Sequence, residues 1–187
     1  AGSVAAISAA RSGKKTLLLE RNSFVGGTAT AAMMGQIGGP TRYAHGLGKE
    51  IIDRLLVMNQ AKTGPYTLFE PEGLKNVLME MLDEAGTEVL LYTIFSSTIV
   101  EDGRVKGVIF ENKSGRQAVL AEVVIDASGD GDVCVDAGAS FWKGRERDGK
   151  MRPMTLIFEI GNIDVHNLVE YAKKNPGQFS PDNQYNV

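Results

Sequence analysis

The first part of the chain places an alanine-rich helix pattern directly before an apolar strand pattern, and this order restricts the fold more than any other feature. The run from Gly2 to Ser12 is rich in small residues and is followed by Gly13, which is typical of a short, tightly packed helix that ends at a glycine. Thr16 to Leu19 then predicts a strand buried on both faces of a parallel sheet. Helix followed by buried strand is half of a β-α-β unit, so we expect an α/β fold.

An acidic residue, Glu20, ends this strand and follows Gly2 by 18 residues. In a dinucleotide-binding fold, the last glycine of the phosphate loop lets the helix pack closely on the strand. The amino end of that helix directs N–H groups at the pyrophosphate, and an acid about 20 residues further on accepts the ribose hydroxyls. Ala1, Gly2 and Glu20 stand where these roles require. The alternative, an alanine-rich core helix beside a strand that ends in a solvated glutamate, stays open.

A glycine-rich stretch separates this unit from two further helix patterns. Arg21 to Gly48 contains many small residues and predicts a ligand-binding loop with short helical pieces. Helical periodicity then predicts helices at Glu50–Gln60 and at about Pro71–Ala85, where a proline opens the pattern and Gly86 ends it.

Strand patterns dominate after Gly86. We expect a β-meander with strands at Glu88–Tyr92, Phe95–Glu101, Val105–Asn112 and Gln117–Ala121. The next parallel strand is expected at Val123–Asp126, followed by a turn of glycine and aspartate and a short helix that ends at Gly138. Towards the end of the sequence, the patterns predict a strand at Met154–Ile160 and a helix at about Val165–Lys174.

Two further motifs carry chemistry. The run RNSFVGGT, from Arg21 to Thr28, contains the pair Gly26 and Gly27, which lets the backbone pass close to a bulky ligand and exposes N–H donors. An ordinary Gly-Gly turn is the alternative interpretation of that pair. The run IDASGDGD, from Ile125 to Asp132, predicts a strand that breaks into a turn, where a carboxylate at the strand end accepts hydrogen bonds from ligand hydroxyls.

Calcium is a weaker interpretation of the spaced aspartates. If Asp130 is counted as the first position of a calcium-binding loop, Phe141 occupies the twelfth position, where such a loop needs a glutamate. We therefore predict no metal site. The single cysteine, Cys134, cannot form an internal disulfide and is expected to pack as a small apolar residue. Arg42 and His45 are weaker candidates for contacts with a substrate, and surface positions are the alternative.

Charge and composition narrow the choice of partners and compartment. Twenty basic and 23 acidic residues give a net charge of -3, and no stripe of Lys and Arg is present, so nucleic acid is not an expected partner. No stretch is apolar enough to suggest a membrane span. The absence of a cysteine framework and of a visible signal peptide predicts a cytoplasmic location.

The three motifs together resemble the FAD-dependent oxidoreductase family, the two-dinucleotide-binding-domain flavoproteins with the glutathione-reductase-like fold. The similarity covers most of Ala1 to Ala139, and it implies that the first strand and the leading glycines of the phosphate loop lie upstream of Ala1. It also implies a Rossmann-like FAD-binding domain with a parallel sheet and an inserted β-meander at residues 1–150, and the start of a second, substrate or cap domain at 151–187. FAD is the implied cofactor.

The resemblance also implies roles for individual residues. Ala1 and Gly2 would form the tail of the phosphate loop, and Glu20 would be the acid on the adenosine ribose. The pyrophosphate and flavin would be lined by Arg21, Gly26, Gly27 and Thr28, and backbone contacts near the adenine would come from Ile94 or Phe95. The second flavin-contacting turn would consist of Ala127, Ser128, Gly129, Asp130 and Gly131. No catalytic acid or base is identified by it.

Three functions are consistent with these residues. The first is an FAD-dependent oxidoreductase that transfers hydride or electrons between a small organic substrate and the flavin. The second is a flavin-dependent enzyme with net non-redox chemistry, such as an isomerase, a cyclase or a nucleoside-modifying enzyme. The third is a nucleotide-binding module without catalysis. The substrate, the electron acceptor and the oligomeric state are not predicted.

Overall fold

A computed structural model describes residues 1–39 and 41–179 of the chain. These residues divide into two compact units, Ala1–Leu156 and a second unit that starts at Ile157. Each unit is described by itself below.

The first unit contains five helices and eight strands among its described residues. The helices are α1 (Gly2–Arg11), α2 (Thr28–Ala31), α3 (Gly46–Val57), α4 (Pro71–Glu84) and α5 (Asp132–Asp136). The strands are β1 (Leu17–Leu19), β2 (Gln36–Ile37), β3 (Ala61–Lys62), β4 (Thr67–Phe69), β5 (Glu88–Leu90), β6 (Ile94–Glu101), β7 (Arg104–Asn112) and β8 (Gly115–Leu120). They form a parallel pair β1-β5, a small antiparallel sheet β2-β4-β3 and an antiparallel meander β6-β7-β8.

The core of this unit lies between helices α1, α3 and α4. Helix α4 starts with Pro71, whose missing N–H suits the first helical turn, and it buries Val77 and Met81 completely. Ile7 of α1 and Leu55 of α3 are fully buried in the same apolar cluster. The predicted helices are therefore confirmed, with boundaries that differ by a few residues.

Strands β1 and β5 form the parallel pair, and α4 lies between them in the chain. Leu17 pairs with Glu88 and Leu19 pairs with Leu90, and the backbone N–H of Glu20 donates to the Leu90 carbonyl oxygen at 2.9 Å. The prediction that the strand at Glu88–Tyr92 belongs to the meander is wrong. After the long α4 crossover this strand runs parallel to β1, which a hairpin connection does not permit.

Three of the four strands predicted for the meander form it, with hairpin turns at Asp102–Gly103 and, one residue before the predicted position, at Lys113–Ser114. Asp102 and Gly103 both have positive φ angles, as a tight hairpin turn requires. Gly107 on β7 lies so close to β8 that a Cβ atom there would stand 2.1 Å from the Val119 carbonyl oxygen. Glycine at this position therefore sets the close approach of the two strands.

Two predicted strands are absent and one small sheet is additional, in each case for reasons of pairing. Val123–Asp126 and Met154–Ile160 are not strands, because no described strand pairs with either of them. Val123 and Ile125 are accordingly 75% and 60% exposed. Conversely, the sequence does not predict the sheet β2-β4-β3, because its strands have only two or three residues and β2 pairs with a distant part of the chain.

The second unit contains helix α6 (Val165–Lys174), which the sequence predicted at the same residues. The Asp164 carboxylate caps this helix by accepting a hydrogen bond from the Asn167 N–H at 3.0 Å. A short 3₁₀ turn at Pro176–Gln178 follows, and the rings of Tyr171 and Phe179 meet edge to face with centroids 6.3 Å apart. Of the helices in residues 1–39 and 41–179, none is both long enough and apolar enough to cross a bilayer.

Candidate functional site

The amino end of α1 meets the turn after residue 126, which brings the first and third sequence motifs together. A Cβ atom placed on Gly2 would stand 3.2 Å from the Ala127 Cβ and 3.5 Å from the Leu18 Cδ1. Contacts this short leave little room for a side chain, so glycine and alanine allow the helix end, strand β1 and the turn to approach one another. The structure therefore places Gly2 and Ala127 side by side.

The first turn of α1 has N–H groups without protein partners. Ala1 is the N-cap residue and makes no side-chain capping bond, while its carbonyl oxygen accepts the first helical hydrogen bond from the Ala5 N–H at 3.0 Å. In the part of the chain that is described, no acceptor is bonded to the N–H groups of Gly2, Ser3 or Val4. Such free donors at the positive end of a helix dipole suit an anionic group such as a phosphate.

Glu20 lies where β1 leaves the sheet, and it connects to the start of the meander. The Glu20 carbonyl oxygen accepts a hydrogen bond from the Thr93 N–H at 2.9 Å. Ile94 and Phe95 directly follow Thr93 in the chain, so this bond brings the start of β6 close to Glu20. One carboxylate oxygen, Oε1, accepts from both the backbone N–H and the side-chain amide of Asn22, at 2.8 and 2.9 Å. The second oxygen has no donor among the described residues, so it is available to a ligand hydroxyl.

The glycine pair forms a tight turn whose shape is fixed by Thr30. Thr30 is 2% exposed, and its hydroxyl donates to the Val25 carbonyl oxygen at 2.8 Å, with the Gly27 carbonyl oxygen as a second, longer acceptor at 3.2 Å. Gly26 has φ +116° and faces this threonine, whereas Gly27 has φ +60° and no atom within 4 Å of its Cβ position. One side of the turn is therefore packed, and Gly27 faces open space. Thr28 begins α2 and is exposed.

The Asp126 carboxylate stabilises the third motif through hydrogen bonds within the motif. Its Oδ1 accepts from the Ser128 N–H at 2.9 Å and the Ser128 hydroxyl at 2.7 Å, and its Oδ2 accepts from the Cys134 N–H at 2.9 Å. Partial burial alone raises the pKa of Asp126, but the hydrogen bonds from Ser128 and Cys134 outweigh it and lower the pKa to about 2. The carboxylate predicted to accept ligand hydroxyls thus binds the turn itself.

Ser128 extends this internal network to the start of α5. Its hydroxyl oxygen accepts from the N–H groups of Gly131 at 3.1 Å and Asp132 at 2.9 Å. Gly129 and Gly131 have φ angles of +95° and +78°, and neither has an atom within 4 Å of its Cβ position. The turn therefore exposes backbone on its outer side, and Asp130 is exposed there as well.

A carboxylate that the sequence did not single out ties this turn to the meander. Asp136 at the end of α5 accepts hydrogen bonds from the hydroxyl and the N–H of Thr98, at 2.6 and 2.5 Å. These bonds, the hydroxyl bond first, lower the pKa of Asp136. Thr30, Thr93 and Asp136 are the positioning residues that sequence reasoning missed. Thr93 and Asp136 act through contacts distant in sequence, whereas Thr30 acts on the loop directly before it, in a role that its residue type does not reveal.

The remaining candidates lie apart from the three motifs. Within the described residues, no hydrogen bond or ion pair joins Arg42 or His45 to them; Arg42 stacks on the Tyr43 ring at 4.8 Å from its centroid, and His45 is the exposed N-cap of α3. Cys134 is exposed, so the expectation that it packs as an apolar residue is wrong. The hydrogen bond with Asp126 raises the pKa of its thiol.

Cavities and metal-binding groups point to no other site. A cavity of about 340 Å³, lined by residues that include Asn59, Lys62 and Glu70, contains none of the predicted cofactor-contacting residues. In the described ranges, no group of three or more His, Cys, Asp or Glu side chains is arranged as metal ligands. The meeting of the first and third motifs beside β1, with the second motif starting directly after Glu20, is therefore the best-defined candidate site.

Comparisons with known proteins identify relatives of this chain. The chain is 26% identical to digeranylgeranylglycerophospholipid reductase of Methanosarcina acetivorans over 91% of this chain and 42% of the relative. It is 30% identical to digeranylgeranylglycerophospholipid reductase 2 of Methanothermobacter thermautotrophicus over 88% of this chain and 45% of the relative. The chain therefore spans less than half the length of these two relatives.

A solved structure shares the fold. The structure of a flavoprotein/dehydrogenase from Cytophaga hutchinsonii matches with a TM-score of 0.56 at 17% identity, over 78% of this chain and 42% of that one. The sequence pattern of the family described as FAD dependent oxidoreductase matches residues 1–187. These findings confirm the predicted Rossmann-like α/β fold and the family resemblance. The chain belongs to the family of FAD-dependent oxidoreductases, whose cofactor is FAD.

Proposed function

We propose that the full-length protein binds FAD at the carboxyl end of β1 and acts as an oxidoreductase on a small organic substrate. The observation that carries this proposal is the contact of Gly2 with Ala127 and Leu18, because it joins the amino end of α1 to the turn after Asp126. The hydrogen bond from Thr93 to the Glu20 carbonyl oxygen adds the start of β6 to the same place.

The residues present suit the two halves of FAD. The free N–H groups of Gly2 and Ser3 would hold a phosphate of the pyrophosphate, and the open carboxylate oxygen of Glu20 would accept an adenosine ribose hydroxyl. Arg21 is exposed beside this acid and would add positive charge near the phosphates. Ile94, 61% exposed, and Phe95 would cover the adenine.

The flavin half would pass between two turns with open outer faces. Gly27 and Thr28 would line one side, and the stretch from Ala127 to Gly131 would line the other. Bound FAD supplies acceptance and donation of hydride or single electrons. The chain's own contribution is to hold the cofactor: Thr30 fixes the first turn, while Asp126 and Ser128 fix the second.

The names of the two relatives support a reaction direction, reduction of the substrate, and a first substrate class to test. Both are named as reductases of digeranylgeranylglycerophospholipid, which supports a reductive reaction on an isoprenoid lipid. We propose that residues 1–150 form the FAD-binding domain and that 151–187 begin a domain that contacts this substrate. Neither a membrane nor a nucleic acid is part of the proposal, and the cytoplasm is the proposed location.

The test of cofactor binding compares two glutamates on neighbouring strands. Glu20 follows the carboxyl end of β1, whereas Glu88 starts β5 and pairs with Leu17 at the opposite end. In the full-length gene product, Glu20→Gln should weaken FAD binding about 10- to 100-fold, as expected for loss of a hydrogen bond to a charged group. Glu88→Gln should bind like the wild type. Wild-type protein without flavin absorbance or measurable affinity for FAD contradicts the proposal.

The test of chemistry uses the flavin as its own indicator. The full-length protein is reduced anaerobically and mixed with a geranylgeranyl lipid, and reoxidation of the flavin is followed by its visible absorbance. A saturated product formed together with oxidised flavin supports the redox function. A rearranged product of unchanged oxidation state supports the non-redox alternative, and bound flavin that reacts with no candidate substrate supports a non-catalytic module.

A further inference from the structure

A lysine on α4 contacts the loop that carries the glycine pair. The Lys75 ammonium stands over the Phe24 ring, with Nζ 3.8 Å from the ring centroid. This distance lies well inside the range in which a cation is attracted to an aromatic face. Phe24 is two residues before Gly26, so α4 touches the loop directly beside the turn.

Lys75 is placed there by its own helix and by one ion pair. Its side chain is 18% exposed, and its ammonium also contacts the Glu72 carboxylate at 2.5 Å. Glu72 is 80% exposed, so water screens that ion pair, whereas the ring contact is largely shielded from solvent. The ring contact is therefore the interaction that gives Lys75 a specific effect on the loop.

The loop is held at two consecutive residues. Val25 is fully buried in the core cluster with Ile7 and Val77, and Phe24 is held beneath Lys75. Between these anchors and α2 the backbone passes through Gly26 and Gly27, which adopt φ angles that other residues avoid. Without the contact between Phe24 and Lys75, the chain before Val25 would have more conformational freedom. That freedom would be lost when a ligand binds, at a cost in binding free energy.

We propose that Lys75 is a positioning residue for the flavin: by holding Phe24 it pre-orders the Gly26–Gly27 turn against which the cofactor binds. This inference rests on the proposed function, since it assigns Lys75 to the same FAD site. Lys75 does not touch the cofactor in this account and acts only through Phe24.

The experiment distinguishes the effect of the positive charge of Lys75 from the effect of its apolar stem. In the full-length protein, Lys75→Met keeps the apolar stem and removes the charge, and it should weaken FAD binding about three- to tenfold. Lys75→Arg keeps a cation that stacks on aromatic rings and should restore most of the affinity. Glu72→Gln removes the ion pair, leaves the ring contact in place and should bind FAD like the wild type.

Two further measurements make the result specific. Phe24→Leu should weaken binding as much as Lys75→Met, and the double variant should be no weaker than either single variant, because both remove one interaction. The visible circular dichroism of the bound flavin should change in Lys75→Met and return in Lys75→Arg. A destabilised fold without a positioning effect would lower the melting temperature and leave that flavin signal unchanged.

The outcomes distinguish this inference from the proposed function. Wild-type protein that does not bind FAD overturns both. Wild-type protein that binds FAD, together with a Lys75→Met variant of equal affinity and equal flavin signal, overturns the role of Lys75 alone. Additive effects of Lys75→Met and Phe24→Leu also overturn it, because they show that the two side chains act independently. If Lys75→Met does not fold, Lys75→Arg and Phe24→Leu still decide the matter.

Discussion

Replacing Gly26 by alanine tests the packing of the glycine turn more sharply than any other single change. The new Cβ would stand 2.5 Å from the Thr30 Cγ2 and 2.6 Å from the Thr30 Oγ1. Thr30 cannot move aside easily, because it is 2% exposed and its hydroxyl is bonded to the Val25 and Gly27 carbonyl oxygens. The variant therefore combines a steric overlap with a strained backbone.

The two contributions can be estimated separately. A residue other than glycine at φ +116° costs about 1–3 kcal/mol of strain. Forcing an extra carbon against a fixed, buried side chain costs about 1–3 kcal/mol more. We therefore expect Gly26→Ala to lower the free energy of unfolding by about 2–6 kcal/mol. Gly27→Ala, at φ +60° with nothing within 4 Å, should cost only about 1–2 kcal/mol.

Urea unfolding of the full-length protein, followed by circular dichroism with and without FAD, measures these differences. Thr30→Ala removes the two closest atoms that the new Cβ would meet, Cγ2 and Oγ1, and leaves the Thr30 Cβ, at 3.1 Å. In that background Gly26→Ala should therefore cost about 1–3 kcal/mol less than in the wild type. Equal costs for Gly26→Ala and Gly27→Ala, or a cost of Gly26→Ala that does not change in the Thr30→Ala background, would refute the steric reasoning.

Three further changes test other interactions within the first unit. Hydrogen bonds and charge from Arg11, and secondly from Arg54, outweigh burial and lower the pKa of Glu50 to about 2. The stabilisation by this carboxylate is therefore complete above pH 4.5 and disappears as the pH falls towards 2. Glu50→Gln should cost about 1 kcal/mol at pH 7 and less at pH 3 in urea unfolding, after allowance for solvent screening. Asp126→Asn should speed amide exchange at Cys134 about fivefold at pH 7, measured by mass spectrometry, because a donor then faces that N–H. Gly107→Ala should lower the free energy of unfolding by about 2–4 kcal/mol, since its Cβ would stand 2.1 Å from a backbone oxygen.

Matched variants and contrary results accompany each of these changes. An undiminished effect of Glu50→Gln at pH 3 contradicts the ionic explanation. Asp130→Asn, at an exposed position of the same turn, should leave amide exchange unchanged, and equal acceleration by both variants contradicts the assigned role of Asp126. Gly48→Ala, in α3 with nothing within 4 Å of its Cβ position, should stabilise by about 0.5–1 kcal/mol. A change in the free energy of unfolding for Gly107→Ala as small as that for Gly48→Ala would show that strands β7 and β8 can separate at low cost.

Local signals in the sequence were sufficient for the helices and for the meander. Pro71 and Gly86 mark both ends of α4, and Asp102 with Gly103 forms the turn between β6 and β7 with the positive φ angles that such a turn needs. The signals that mark these elements lie close together in sequence, so they can be recognised without knowledge of the fold.

Pairing between distant segments was the part that local patterns could not supply. Glu88–Leu90 has the same strand pattern in a meander or in a parallel sheet, and only the α4 crossover decides between them. The apolar residues Val123 and Ile125 predict a buried strand, but a strand also needs a neighbour, and none of the described strands lies beside them. The two-residue strands β2 and β3 give no periodic signal at all.

The candidate site follows the same division. Glycines and acids with motif spacing were recognisable, and their contacts with FAD remain predictions. The residues that hold them were not recognisable: Thr30 packs on Gly26, Thr93 bonds to Glu20, and Asp136 bonds to the Thr98 hydroxyl. Threonine and aspartate are common in loops for many reasons, so only tertiary contacts reveal these positioning roles.

Small side chains, rather than charged ones, bring the parts of this site together. A Cβ atom at Gly2 would stand only 3.2 Å from the Ala127 Cβ, so a larger residue at Gly2 would force the amino end of α1 and the turn after Asp126 apart by a few tenths of an ångström. The charged groups nearby are mostly occupied: Asp126 binds its own turn and Glu20 uses one oxygen for Asn22. Binding of an anionic dinucleotide then depends on backbone donors held at the correct spacing, and that spacing is set by the packing of glycine against alanine.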